Sequence, residues 1–521
     1  MHRRYSPAAA RRACAWLRLA PLAAVALGGC TRAGEGLAPR SFDRPWVPAT
    51  SASGEILPVP TGQAAAVLPG GYVLPENPAL ATLPAAPETD PQHVYTLAEL
   101  LDLAHTANPG LRVAWYEARS AALVPGIIRA SHGPRIAATG VGGGVVSSSY
   151  LGKGANGEDR DSSGGTAVAA ISLEWLLFDF GGREAQIAAA RQQALVADIA
   201  FTAEHQQVTH QVALAYYDDV AARARSANAD RAVELAAQVQ ASAEARFRRG
   251  VGTTMEAAQT RQAAAQLRLA AVQARAAATD ARLRLITAIG LPPFTKLRIA
   301  DAADRTLSPA MAELAEDAVA KALSRRPDML AALASRKASE ESVLAARADF
   351  KPKIFASGTA SHIRGNRDLT TLPGAGGGSA TLNVFGRRTS GSVLVGLRVP
   401  LYDGGLRAAR LEQARDRVEG ASAKLEATRN RAVLEIVTAE NGLRAALEAN
   451  AAAEESRSAA RTSFAAVFAA YGSGVGAVAE VSLAQQQLLA AENAVSDARA
   501  SALRAAATLA LATGTLGAAP E

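Results

Sequence analysis

The chain repeats itself. Leu177-Phe178-Asp179-Phe180-Gly181 returns 224 residues later as Leu401-Tyr402-Asp403-Gly404-Gly405, and Phe247-x-x-Gly250-Val251-Gly252 returns at the same offset as Tyr471-x-x-Gly474-Val475-Gly476. Upstream, Pro109 and Pro134 return as Pro327 and Pro352 at an offset of 218. The slip of six falls between Pro134 and Leu177, in a Gly/Ser-rich stretch where a loop changes length at little entropic cost. Length alone would divide 521 residues into three or four domains. The duplication overrides that division, leaving two copies of one structural unit of roughly 200 residues.

Each copy contains one very long helix. Arg183 to Arg249 holds neither proline nor glycine across 67 residues, with small and apolar residues at helical spacing. At a rise of ~1.5 Å per residue that helix is about 100 Å long. In the second copy, Leu406 to Tyr471 has no proline and only Gly420 and Gly442 inside it. Helices in globular proteins average about 11–12 residues, so this length requires a coiled coil or a helical tube. Alanine dominates these segments and aromatics make up only 5% of the chain, which suits close helix packing. After each Gly-rich turn the chain returns as a shorter helix, Thr254 to Ile289 in the first copy, stopped by Gly290-Leu291-Pro292-Pro293. Further short helices, Leu111–Ala130 and Asp328–Asp349, lead into the strands. A return helix and a lead-in helix stacked end to end would nearly match one long helix in length.

Strands precede each long helix. Ala167, Ala169, Ile171, Leu173, Trp175 and Leu177 alternate with Thr166, Ser172 and Glu174; Val393, Val395, Leu397 and Val399 alternate with Ser392, Gly396 and Arg398. Their partners are expected to begin near Pro134 and Pro352, joined by loops over Ser147–Gly165 and Gly365–Arg387. Such alternation fits a membrane barrel and a soluble two-faced hairpin equally well.

The N-terminus tips the balance. Residues 1–29 carry five arginines and no acid, then an apolar stretch from Leu19 to Ala26, then Leu27-Gly28-Gly29-Cys30. This is the pattern of a secretory signal. Its ending resembles a bacterial lipobox, which would make Cys30 the lipidated first residue of the mature chain. Without those arginines the formal charge falls from +7 to +2, so the high pI implies no nucleic-acid surface. Residues 30–92 form a Pro-rich spacer, with 11 of the chain's 24 prolines between Thr31 and Pro91. No later segment has the ~18 uninterrupted apolar residues of a transmembrane helix, which leaves β-strands as the means of spanning an outer membrane. The expected division is a signal over 1–29, the spacer, a first repeat over 93–290, a linker over 291–310, and a second repeat with its tail over 311–521.

With two motif pairs in register beside uninterrupted helices, the chain resembles the TolC-like outer membrane factor family over roughly Val94 to Gly517, in its lipoprotein branch. The resemblance implies a mixed α and β membrane protein: four strands per chain, a homotrimer closing a 12-stranded barrel, and a periplasmic α-helical tunnel. It implies an exit duct that docks onto a periplasmic adaptor and an inner-membrane pump of the resistance–nodulation–division or ATP-binding cassette type. Lipidation favours small toxic compounds or drugs as cargo, with type I protein secretion as the alternative. Physics agrees with the trimer, since four strands cannot close a barrel and open edges cannot sit in lipid.

The candidate sites follow from the motifs. Asp179 and Asp403, beside Gly181 and Gly405, are expected to start the long helices by accepting backbone N–H groups, the glycines turning the chain from strand to helix. The tips Arg249-Gly250-Val251 and Ser473-Gly474-Val475 occupy the places where the family presents a Val-Gly-Leu-like triplet to its adaptor; glycine is kept and both flanks differ. Glu256 and Glu480 lie six residues beyond the tip glycines, where the resemblance implies acidic residues around the periplasmic aperture; the next acidic position falls on Leu483. Thr253 gives Glu256 a capping-box role, whereas Ala477 is expected to leave Glu480 without one. No enzyme, cofactor or metal motif emerges. Gly152-Lys153-Gly154 lacks the phosphate-loop spacing, Gly374–Gly378 reads as an extracellular loop, and His205 and His210 stand about 140° apart around a helix. A non-transporting coiled-coil envelope lipoprotein is the remaining alternative, and it would not need the duplicated amphipathic hairpins.

Overall fold

A computed structural model describes residues 49–53, 55–57, 76–82, 89–148, 161–301, 316–369 and 382–516. The signal region, Cys30 and the Gly374–Gly378 run lie outside the described residues, as does Gly152-Lys153-Gly154. The chain divides into two units, Met1–Ala86 and Pro87–Glu521. The described part of the first is a two-stranded antiparallel pair, β1 (Ala49–Thr50) with β2 (Ile56–Leu57), and a single 3-10 turn, Pro78–Leu80, capped by the Asn77 side chain.

The second unit holds both repeats. The first copy runs β3 (Val94–Tyr95), α1 (Leu97–Ala107), α2 (Pro109–Ser131), β4 (Arg135–Ser148), β5 (Asp161–Phe178), α3 (Gly182–Arg248) and α4 (Thr254–Ile289). After β6 (Arg298–Ile299) the second copy runs α5 (Glu316–Arg325), α6 (Pro327–Ala348), β7 (Lys353–Leu369), β8 (Leu382–Arg398), α7 (Leu406–Ser473) and α8 (Val478–Ala512). α3 and α7 have 67 and 68 residues, matching the proline-free runs. Among the described residues no helix is long and apolar enough to cross a membrane.

The helices lie in a row. α3 packs against α2 and α4, and against α6 and α8; α7 packs against α6 and α8. Return and lead-in helices do meet end to end. Asn108 Nδ2 donates to Ala288 O at 3.2 Å where α4 meets α2, and Arg326 Nη1 donates to Ala512 O at 2.9 Å where α8 meets α6. Asn108 and Arg326 are repeat equivalents at offset 218, and Ala288 and Ala512 at offset 224. The duplication also reaches the end of each return helix: Gly290 (φ 93°) and Gly514 (φ 68°), 224 apart, both close it in the left-handed conformation.

The seams differ in chemistry. The first repeat centres on Leu100, Val212, Tyr216, Leu285 and Ile289; the second on Ile436, Leu443, Ala502 and Leu509. Between α3 and α8 the bonds are polar: Arg504–Asp218, Arg225–Asp497, Asn228–Asn493 and Gln485 to Ala232 O.

The sheet is antiparallel in the order β4-β5-β7-β8, with β4 and β8 as open edges. Its register sorts the faces. Ile136, Leu173, Gly358 and Val393 stand in one cross-strand row, and Trp175, Ala356 and Val395 share their face. The rows Ala137-Ser172-Thr359-Ser392 and Thr139-Ala170-Ser361-Ser390 form the opposite face, where Ser361 and Ser390 hydroxyls lie 3.0 Å apart. Over these rows one face is apolar and the other polar, as a lipid-facing and lumen-facing wall requires, while Phe355 and Leu394 also fall on the second face and His362 and Arg364, further along, on the first.

Three expectations change. The strands run further into the Gly/Ser-rich segments than expected: pairing extends to Ser148–Asp161 and Leu369–Leu382, so the loops are shorter than Ser147–Gly165 and Gly365–Arg387. Extended backbone bonded to a neighbouring strand does not need apolar side chains. Next, α1 and α5 are helices that were not anticipated; α1 is closed by a capping box in which Glu99 Oε2 accepts from Thr96 N at 2.7 Å. Finally, the span 291–310 is not simple linker, since Arg298–Ile299 pairs in parallel with Val94–Tyr95.

Candidate functional site

The two helical tips share one backbone solution. Tip one closes with Gly250 N to Phe247 O at 2.9 Å, Val251 N to Arg246 O at 3.1 Å and Gly252 N to Arg246 O at 3.2 Å. Tip two repeats this through Gly474 N to Tyr471 O at 3.1 Å, with Val475 N and Gly476 N bonded to Ala470 O at 3.0 and 3.1 Å. Gly250 and Gly474 sit at φ 75° and 88°, the left-handed region that L side chains avoid. Gly252 and Gly476 are required for a different reason: a Cβ there would lie 2.9 Å from Phe247 N and 2.8 Å from Tyr471 N. Val251 and Val475 are strongly exposed, presenting an apolar residue at each apex beside the exposed Arg249 and Ser473.

The tips are tied together by residues that sequence reading passed over. The Arg246 guanidinium lies 5.2 Å from the centre of the Tyr471 ring, and its Nη1 donates to Tyr471 O at 3.2 Å. Tyr471 is buried, and burial pushes its phenol pKa up, with Glu256 adding to the shift and Arg246 opposing it. A signal was present in the repeat. Arg246 faces Ala470 across the offset, so one tip carries a cation that the other lacks.

The two glutamates are placed nearly alike. Thr253 N donates to Glu256 Oε2 at 3.1 Å and Glu256 N donates to Thr253 Oγ1 at 3.2 Å, a complete capping box. Ala477 N donates to Glu480 Oε2 at 3.4 Å, half of the same arrangement. Glu480 therefore is not free of a capping role as the alanine implied: a capping box needs the hydroxyl only for one of its two bonds. Glu480 is exposed and Glu256 half-buried, and Leu483 stands exposed one turn further along α8.

At the strand-to-helix junctions, Asp179 is buried and its Oδ2 accepts from Arg183 N at 2.7 Å. Asp403 Oδ2 accepts from Arg407 N at 3.1 Å and Arg407 Nε at 2.6 Å, and Oδ1 accepts from Gly405 N at 3.2 Å. The Arg407 guanidinium holds the Asp403 carboxyl below its usual pKa. Gly181 and Gly405 cap the long helices at φ 92° and 89°. The residue before each is also left-handed: Gly404 at φ 68°, and in the other copy Phe180 at φ 56°, where a bulky side chain bears the strain.

Comparison with known proteins decides the family. The outer membrane efflux protein profile matches residues 100–291 and 318–515, one match per repeat. The chain belongs to the outer membrane efflux protein family. It is 30% identical over 411 residues to Protein CyaE of Bordetella pertussis, covering 78% of this chain and 81% of that protein. Among solved structures it is similar to CusC, with a TM-score of 0.66 at 20% identity over 80% of this chain and 92% of that one. It is also similar to the outer membrane protein VceC from Vibrio cholerae, with a TM-score of 0.64 at 20% identity over 80% and 96%. The fold is thus the family's: each chain contributes a four-stranded sheet and two helical hairpins to a trimeric barrel and tunnel, with twelve strands in all.

Proposed function

We propose that this protein is the outer-membrane exit duct of a tripartite export system, passing small toxic compounds or drugs from an inner-membrane pump and a periplasmic adaptor to the outside. The observation that carries this is the sheet: central rows apolar on one face and polar on the other, two open edges, and helices of about 100 Å leading away from it. Such a sheet closes only with further copies of itself, and the lumen so formed continues between the helices.

The rest of the reading assigns parts. The tips Arg249-Gly250-Val251 and Ser473-Gly474-Val475 dock the adaptor, behind which stands a pump of the resistance–nodulation–division or ATP-binding cassette type. Glu480, with Glu256 secondary, lines the periplasmic aperture. Cys30 carries lipid that anchors the Pro-rich spacer to the outer membrane of a Gram-negative cell. The experiment that tests the proposal is ion conductance of purified protein in planar bilayers, paired with dye accumulation in a deletion strain. Trimeric channels and accumulation restored by the wild-type gene are expected. Absence of conductance would return the chain to the envelope-tether reading, and conductance with unchanged dye accumulation would shift the cargo to protein.

A further inference from the structure

Beside the joint between α8 and α6 lies an open groove of about 840 Å3, lined among the described residues by α3, α7, the last turns of α8 and the start of α6. That volume lies in the range of small-molecule pockets, about 300–1,000 Å3. All four walls come from one chain, because α6 and α8 lie between α3 and α7 in the row. The α5 helix packs through Val319, Ala322 and Leu323 with Ile436 and Leu443, sharing Ala439 and Ala512 with the groove, and none of its own residues lines it.

Gly442 belongs to this wall. It is one of three glycines in a 68-residue helix, its φ is not left-handed, and a Cβ built on it would meet no heavy atom within 4 Å. Neither backbone geometry nor close packing within the chain requires glycine there, and glycine is the poorest helix former after proline. Its effect is to leave room. The equivalent position in the first repeat is Asp218, whose side chain bonds Arg504.

The cavity has a sign. Among the described residues that line it, Arg326 is the one cationic side chain, buried and bonded to Asp328 through Nε at 3.0 Å and Nη2 at 2.7 Å, and to Glu435 Oε2 through Nη2 at 2.6 Å. Two carboxylates share one guanidinium, leaving one negative charge in excess. Glu435 is about half exposed and touches Arg326 through one oxygen. The remaining surface is mainly aliphatic, from Leu434, Leu511 and Pro327, with the amides of Gln206 and Gln207 and the hydroxyls of Thr438 and Thr508 as neutral polar groups.

We propose that this cavity is a binding site in the tunnel wall for organic cations with an apolar body, the charge held at Glu435 and the body in the space that Gly442 leaves open. The site stands on the chain's own walls and does not depend on which cargo the channel exports. The test is calorimetric titration of the purified full-length trimer with tetraphenylphosphonium, using tetraphenylborate as the anion of the same shape and tetramethylammonium as the charge without the body. Saturable binding of tetraphenylphosphonium alone is expected. Gly442→Leu, which fills the space with a better helix former, and Glu435→Gln, which removes the excess charge, are each expected to weaken it by about tenfold or more. Binding of all three probes alike, no saturable binding to the wild type, or unchanged affinity in Gly442→Leu overturns the assignment. If Gly442→Leu fails to trimerise, Glu435→Gln decides it in the same way. Bilayer conductance of each preparation separates loss of this site from loss of the channel itself.

Discussion

Positions 250 and 474 show how one atom sets the shape of a tip. A β-branched residue in the left-handed region costs about 1–2 kcal/mol, and the following turn bonds depend on that conformation. Replacing Gly250 and Gly474 together with valine is therefore expected to impair export while leaving trimers and membrane insertion intact, since the tips are remote from the sheet. Wild-type export by the double variant would remove the docking role from these turns. Gly252→Ala and Gly476→Ala act differently, by pressing a methyl onto backbone nitrogens under 3 Å away. We expect faster proteolytic nicking at the tips, and cleavage no faster than wild type would argue against the crowding. At the other end of the chain, acylation at Cys30 would add membrane affinity through buried methylenes, but the barrel is already an integral anchor. Cys30→Ala, given an alternative cleavable signal, should lose lipid and still insert. An unmodified Cys30 in the mature wild-type protein, seen by mass spectrometry, would end the lipoprotein assignment.

The two repeats solve the same helix-packing problem with opposite chemistry. In the first, fully buried Asp219 accepts from Arg223 Nε at 3.0 Å and Arg282 Nε at 2.9 Å, while Arg223 also reaches Asp301 at 2.5 Å. In the second, the equivalents of Asp219, Arg223 and Arg282 are Leu443, Leu447 and Ala506, in or against the apolar core. Breaking a buried ion network by removing one partner costs about 3–5 kcal/mol, whereas replacing it whole with packed apolar residues is often neutral. Asp219→Ala should destabilise by that amount, and Asp219→Leu/Arg223→Leu/Arg282→Ala should destabilise less than the single change. Thermal unfolding of the two variants checks this, and a triple variant less stable than the single one would show the network to be more than a substitute for Leu443. Elements of this kind differ in how visible they are in sequence. The long helices were legible because 67 residues without proline or glycine permit little else, and the return helix was marked at both ends by Thr253 and Gly290. The short α1 and α5 were hidden because their apolar faces are only three turns long. The strand ends were hidden because Ser162, Gly164 and Gly365, though paired in the ladder, offer no apolar side chain to mark a strand. The Arg246–Tyr471 tie was hidden because it joins residues 225 apart that no local pattern connects.

At the scale of the whole molecule, threefold symmetry turns single residues into rings. Glu480 is exposed at the start of α8, one turn beyond the tip, and its side chain accepts a long bond from Ala477 N at 3.4 Å. Three copies around a narrow periplasmic mouth would concentrate a negative field, because low-dielectric walls focus it and few counter-ions fit inside. Such a ring favours cations over anions and binds multivalent cations. Gln keeps the shape and can still accept from Ala477 N–H, so Glu480→Gln removes charge without removing the half-cap. We expect it to move single-channel selectivity toward anions and to weaken block by trivalent cations added from the periplasmic side. Glu256→Gln should do less, since that carboxylate is half-buried and committed to both bonds of its capping box. The contrast between the two variants matters more than either alone. Both glutamates sit at the same place in their repeats, so a general change in tip stability would move both recordings together. Equal selectivity and equal block in Glu480→Gln and wild type would place Glu480 outside the pore lining and leave it a helix-end charge like its partner.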